Sequence, residues 1–293
     1  MMINNFGKAI LFLVSLNAFS FLPVSAQKVV TGTSKTKPPV LFMRVLETRL
    51  AEFDSTIENF CPQNNIFTRR ILREYGAAFV GEGRLPRACF LKDENSVRQT
   101  QNQLGFSTET VGGVRIELQK EAMKALLKAV AEAKKQGSSI TPKGGAPAAR
   151  RSFADSLGYW DKRVRNGLNH WVGQKKVSAK RANEIRAMKI FEQVAAILEL
   201  EEKGIYFSTQ FDKSILQSVA APGASQHNLM LALDVAEYPE LKVRRILAKH
   251  GWFQTVASDK PHFTYLGVEE DELPALGLHS IIIEGQLFWI PQM

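Results

Sequence analysis

Ser225-Gln226-His227-Asn228-Leu229-Met230-Leu231-Ala232-Leu233-Asp234 is the stretch that decides how this chain is read. It is answered downstream by Ser258-Asp259-Lys260-Pro261-His262-Phe263-Thr264-Tyr265. The chain has five histidines, and His227 and His262 stand with Asp234 and Asp259 inside one window of 36 residues. All four lie beside turn formers or strand-like runs, where a side chain can be aimed and held. Catalytic zinc takes three protein ligands drawn from His, Asp, Glu and Cys and keeps a fourth position open. His227, Asp234 and His262 offer two imidazoles and a carboxylate for such a site, and Asp259 is left beside it as a base. The simpler reading makes each histidine a satisfied polar residue of an ordinary fold. Four suitable groups in one window weigh against it.

Working outward, Ala220–Ser225 reads as a loop that delivers His227, and Leu231–Val235 as a strand whose end carries Asp234. Tyr238–His250 contains a helix with Val243, Ile246 and Leu247 inward, ended by Gly251. Trp252–Val256 and His262–Leu266 read as strands, and Ser280–Ile290 as a hairpin turned at Glu284-Gly285. Upstream, residues 41–56 and 68–79 have helical apolar spacing. Gln119–Lys135 is a helix with Met123, Leu126, Leu127 and Val130 on one face, stopped by Gly137. Residues 160–204 read as helical, with a wall or lid of the cleft as one use for them, and Ile205–Thr209 as a strand. The polar, Gln-rich residues 92–113 read as loop. Helices early and strands late predict an α+β fold, with a small antiparallel sheet carrying the site in the C-terminal part.

Ser-x-His-x-x-x-x-Ala-x-Asp followed by a carboxylate-x-x-His resembles the VanY-type zinc D-alanyl-D-alanine carboxypeptidases, of the lysostaphin, D-Ala-D-Ala and hedgehog fold group. The resemblance implies that His227, Asp234 and His262 bind Zn2+ and that Asp259 is the catalytic base. The family usually has Gly where this chain has Met230, and Glu-x-Trp-His where it has Asp259-Lys260-Pro261-His262. Arg150-Arg151-Ser152 loosely resembles the family's Ser-Gly-Tyr-Arg-Ser motif, which implies a substrate-binding role for Arg151. Ser225, two residues before the first ligand, is a further candidate to bond substrate or to steady the loop. The implied activity is removal of C-terminal D-alanine from peptidoglycan stem peptides. The alternatives are a non-catalytic cell-wall peptide-binding protein of the same fold, or an endopeptidase that cuts cross-bridges. The resemblance is specific over residues 220–267 and extends from about 117 onward.

The first residues read as a signal peptide: Lys8 precedes the apolar run Ala9–Leu22, and Val24-Ser25-Ala26 fits small-x-small cleavage. That run is shorter than the roughly 20 residues a membrane helix needs, so no stable membrane span is expected. Its removal takes away Lys8 and no acid, which lowers the net charge from +9 to +8. Basic residues are spread along the chain and no nucleic-acid motif is present, so the acidic polymers of a cell envelope suit the charge better than nucleic acid. An exported chain with two cysteines, Cys61 and Cys89, predicts a disulfide. There is no Gly-x-Ser-x-Gly elbow of a serine hydrolase. The expected organisation is a signal peptide over 1–26, a flexible leader over 27–40, an N-terminal helical extension with the disulfide over 41–116, and a zinc peptidase domain over 117–293. A monomer in the periplasm or outside the cell, associated with the envelope, is expected.

Overall fold

A computed structural model describes residues 41–293; the expected signal peptide and leader lie outside the described residues. The chain enters through α1 (Phe42–Ala51), whose Phe42, Leu46 and Leu50 recur every fourth position and are buried. Each such burial contributes about 1.5–3 kcal/mol. After α2 (Ile57–Phe60), α3 (Ile66–Tyr75) starts where the Asn65 side chain accepts the Thr68 amide at 3.0 Å, and it buries Phe67, Ile71, Leu72 and Tyr75. A 3-10 turn over Gly76–Phe79 extends it. Cys61 and Cys89 form the expected disulfide, with a Cα–Cα distance of 5.3 Å.

Residues 92–113, read as loop, instead form α4 (Glu94–Leu104), β1 (Ser107–Val111) and the turn that pairs β1 with β2 (Val114–Leu118) in a hairpin. Asp93 and Ser96 make a reciprocal cap at the start of α4, and its buried face is Val97, Gln101 and Leu104. Gly112 and Gly113, both at positive φ, make the turn between the strands. β2 runs across the 116/117 boundary, and one hydrophobic core takes in residues from Phe42 to Leu278.

α5 (Lys120–Lys135) buries Ala122, Met123, Leu126, Ala129 and Ala133, while Leu127 points outward at 38% exposure. Gly137, at φ 70°, follows its end. α6 (Phe153–Gly173) begins with a Ser152–Asp155 capping box and buries Trp160 fully; Trp171 is half-buried and donates to the Tyr206 carbonyl at 2.7 Å. α7 (Ala179–Ala187) and α8 (Ile190–Glu201) follow, separated by extended backbone at Met188 and Lys189. The strand expected over 205–209 is absent. Buried Glu201 instead accepts the amides of Phe207 at 3.2 Å and Ile215 at 2.6 Å and the Ser214 hydroxyl at 2.6 Å. A carboxylate has taken the backbone donors that a strand ladder would use.

The C-terminal part carries the sheets. β3 (Ala232–Asp234), β4 (Trp252–Phe253) and β5 (His262–Tyr265) form an antiparallel sheet in the order β3-β5-β4, with α9 (Leu241–Lys249) between β3 and β4 in the chain. β6 (Leu278–Ile283) and β7 (Gln286–Pro291) form the hairpin, turned as expected at Glu284 and Gly285, both at positive φ. Among the described residues there are nine α-helices and three small antiparallel sheets: the fold is α+β. None of these helices is long and apolar enough to cross a membrane.

Candidate metal centre

The sheet register places Asp234 directly opposite His262 across the β3–β5 ladder. His227 arrives from the other side, on a 3-10 turn over Gln226–Leu229 that starts with the Ser225 hydroxyl accepting the His227 amide at 3.3 Å. Met230 ends this turn at φ 57° with its side chain fully buried. The loop before the turn is braced from the N-terminal part. Gly223 sits at φ 79°, and a Cβ there would lie 1.7 Å from the Leu91 carbonyl oxygen, so only glycine fits. The Leu91 amide donates to the Gly223 carbonyl at 2.8 Å, two residues beyond the disulfide cysteine Cys89.

The three expected ligands converge. His227 Nε2 and His262 Nδ1 are 3.1 Å apart, and each lies 3.4 Å from Asp234 Oδ1. Both histidines are buried, at 1% and 5% exposure. Their outward nitrogens fix the tautomers. His227 Nδ1 is 3.1 Å from the Ala149 carbonyl, which can only accept, so Nδ1 carries the proton. His262 Nε2 is 2.7 Å from Gln226 Oε1, whose amide nitrogen donates to the Tyr75 carbonyl at 3.0 Å. Thr264 also donates to Gln226 Oε1, at 2.5 Å. Nε2 of His262 is therefore the donor. Two bare lone pairs then face each other beside a carboxylate oxygen, an arrangement that repels itself unless a cation lies between them. Ligand bonds of 2.0–2.1 Å around a tetrahedral zinc put donor atoms about 3.3 Å apart, and the observed spacings of 3.1, 3.4 and 3.4 Å fit that edge. The cluster could hold a metal ion.

The electrostatics agree. Burial, then the nearby Arg151 cation, lowers His227 to about 4, so its imidazole is neutral and ready to ligate at neutral pH. Burial alone would raise Asp234, but the His227 and His262 partners outweigh it and hold the carboxyl well below its usual range. Arg151 reaches the site but not as a free substrate clamp. Its Nη2 donates to Asp234 Oδ2 at 2.5 Å and its Nε to the Pro147 carbonyl at 2.8 Å, with Tyr159 packed against the guanidinium. It orients the Asp234 carboxylate, the role that outer partners of metal ligands commonly play. The Arg151 and Ser152 carbonyls are fixed in turn by buried Asn228, at 3.0 and 3.2 Å.

Asp259 lines the same cleft as the three ligands. Ser258, at φ 65°, and the Asp259 amide bonded to the Val256 carbonyl turn it inward. Burial raises its carboxyl to about 6, against the pull of His262. Among the described residues its side chain makes no hydrogen bond to the protein. Glu237, the other acid near the motif, accepts from the Thr141 amide at 2.8 Å and the Ser139 hydroxyl at 2.9 Å and does not line the cleft.

The cleft holds about 370 Å³, and α6 forms one wall through Tyr159 and Arg163. Lys143, Arg163 and Gln226 were not singled out by sequence reasoning. Gln226 carried a weak signal, as a polar residue beside a metal-ligand candidate; the other two carried none. His170 stacks on Phe211 at 3.9 Å, His250 pairs with Glu132, and His279 is exposed, so none joins the site. No family model, curated protein or solved structure matches this chain.

Proposed function

We propose that this chain is an exported zinc metallopeptidase that removes the C-terminal D-alanine of peptidoglycan stem peptides. The observation that carries the reading is the pair of inward lone pairs on His227 Nε2 and His262 Nδ1, closed by Asp234 Oδ1. Two imidazoles and one carboxylate suit zinc. Zinc held there would supply Lewis-acid polarisation of the scissile carbonyl and of the attacking water. The proton work falls to Asp259, whose carboxylate accepts a proton from that water and returns it to the departing amine nitrogen. With its carboxyl at about 6 it is mostly ionised at neutral pH while still basic enough to take a proton. Arg151 and Ser225 hold Asp234 and the His227 turn in place, and buried Gln226 keeps His262 in the ligating tautomer. The D-alanine substrate rests on the resemblance at Ser225–Asp234 and Asp259–His262. Export rests on the Lys8–Ala26 leader, and the Cys61–Cys89 disulfide suits it.

The test is incubation of the zinc-loaded protein with a muropeptide ending in D-alanyl-D-alanine, followed by mass spectrometry. Loss of one D-alanine is the expected result. Loss of the dipeptide would make it a dipeptidase, and cleavage of cross-links an endopeptidase. A peptide that is bound but intact would leave only the binding protein.

A further inference from the structure

Arg151 and Arg163 line the cleft, and Arg151, like Arg150 and Arg70 elsewhere in the fold, has a carboxylate within reach. Arg151 pairs with Asp234, Arg150 with Glu117 and Arg70 with Glu74. Arg163 does not: among the described residues no carboxylate lies within 4.0 Å of it. It stands on α6, one helical turn beyond Tyr159, and both side chains line the cleft that contains Asp234, Asp259 and the histidines. Its guanidinium is held from behind by neutral groups alone. Nη1 donates to Thr209 Oγ1 at 2.5 Å and to Ser218 Oγ at 3.0 Å, and Ser218 in turn donates to the Ile215 carbonyl at 3.1 Å. Nε and Nη2 make no hydrogen bond to the protein among the described residues, which leaves one edge of the fork unspent. Lys143, the lysine of the cleft, rests over the Tyr238 ring at 4.8 Å.

Asp259 is the carboxylate whose charge reaches Arg163, from beyond contact distance, and a partly desolvated cation with no contacting counter-ion favours a ligand that supplies the charge. A guanidinium edge with two parallel N–H groups matches a carboxylate in the bidentate geometry that lysine cannot reproduce. We propose that Arg163, positioned by Thr209 and Ser218, anchors the free C-terminal carboxylate of the peptide bound in this cleft. Arg151, spent on Asp234, does not. The assignment deepens the peptidase reading and rests on it for the identity of the ligand. It also places the substrate's terminal residue against α6, so that the helix sets the preference for a free chain end.

The experiment compares equilibrium binding of a diacetylated L-lysyl-D-alanyl-D-alanine peptide with that of its C-terminal amide. Both are measured on zinc-loaded Asp259→Asn protein, with and without Arg163→Gln. A charge-assisted bond to a carboxylate predicts that the parent prefers the acid by about 10-fold or more, and that Arg163→Gln removes most of that preference at unchanged zinc content. Arg163→Lys, which keeps the charge and loses the fork, should recover only part of it. Equal binding of acid and amide by the parent, or a preference that survives in Arg163→Gln, would overturn the assignment. Amine release by the wild-type protein is read separately. Selective binding without hydrolysis removes the peptidase reading and leaves the carboxylate anchor standing.

Discussion

Two places in this molecule set histidine against a carboxylate, and they differ in whether the polar groups add up. Between α5 and α9, Glu132 accepts from Lys249 at 2.9 and 3.0 Å and from His250 at 2.9 Å, so donors and acceptors match at a partly exposed surface. In the cleft, His227, His262 and Asp234 bring three acceptors together in a buried site, with both outward N–H groups already engaged. The first is a finished surface network of modest worth. The second is one that a metal ion could complete. A histidine beside an acid is thus uninformative until the partner of each ring nitrogen has been accounted for.

The largest expected effect separates the ligands from the base. Asp259→Asn keeps the size of the side chain and all three ligands but cannot accept a proton. Turnover should fall by roughly 10²–10⁴ with zinc content unchanged. A variant as fast as wild type would place the proton elsewhere. Asp259→Glu, which keeps a carboxylate on a longer arm, should retain activity.

The bracing of the cleft comes next. Opening the Cys61–Cys89 bridge, 28 residues apart in sequence, costs about 3.5 kcal/mol in the chain-entropy model. It also frees the loop that holds Leu91 against Gly223. A Cys61→Ala/Cys89→Ala protein should melt at lower temperature and bind zinc more weakly, whereas contacts between Glu132 and α9 should persist in its folded state. Unchanged melting and zinc affinity would show that the bridge braces nothing at the site.

Smaller still is the loss of a partner one shell out. Gln226→Ala removes the acceptor that holds His262 Nε2, and metal affinity should drop by roughly 10–100-fold, the usual effect of deleting such a partner. Wild-type affinity in that variant would mean that the tautomer is fixed by something else.

The smallest effect belongs to the surface pair. His250→Gln should leave zinc binding untouched. The bonds from Lys249 and His250 hold the Glu132 carboxyl below its usual range. The stability it gives is therefore present above the unfolded carboxylate range and is lost as pH falls through the lowered value. In acid titrations followed by circular dichroism, His250→Gln should flatten that loss at its acid end. An unchanged acid limb would show that His250 contributes nothing to it.

What could be read from the sequence follows the same division. His227, Asp234 and His262 were legible because their spacing fits a turn and two strand ends, and the β6–β7 hairpin because Glu284-Gly285 interrupts two apolar runs. α4 and β1–β2 were not, because their surfaces are mostly polar and only Val97, Gln101 and Leu104 mark the buried side of the helix. The false strand at 205–209 arose because local propensity says nothing of Glu201, whose carboxylate binds that backbone. Arg151 was placed at the site, but its partner is Asp234, 83 residues away. The roles of Gln226 and Arg163 are likewise set by contacts across the fold, which no local pattern encodes.

The central claim, that the cleft histidines are completed by a metal, is tested most directly by zinc titration of metal-stripped protein with elemental analysis after dialysis. Wild type and His250→Ala should each retain about one zinc per chain, as three ligands and one open position require, and His227→Ala and His262→Ala should retain almost none. Equal zinc retention in all four proteins, or none in wild type, would contradict the account.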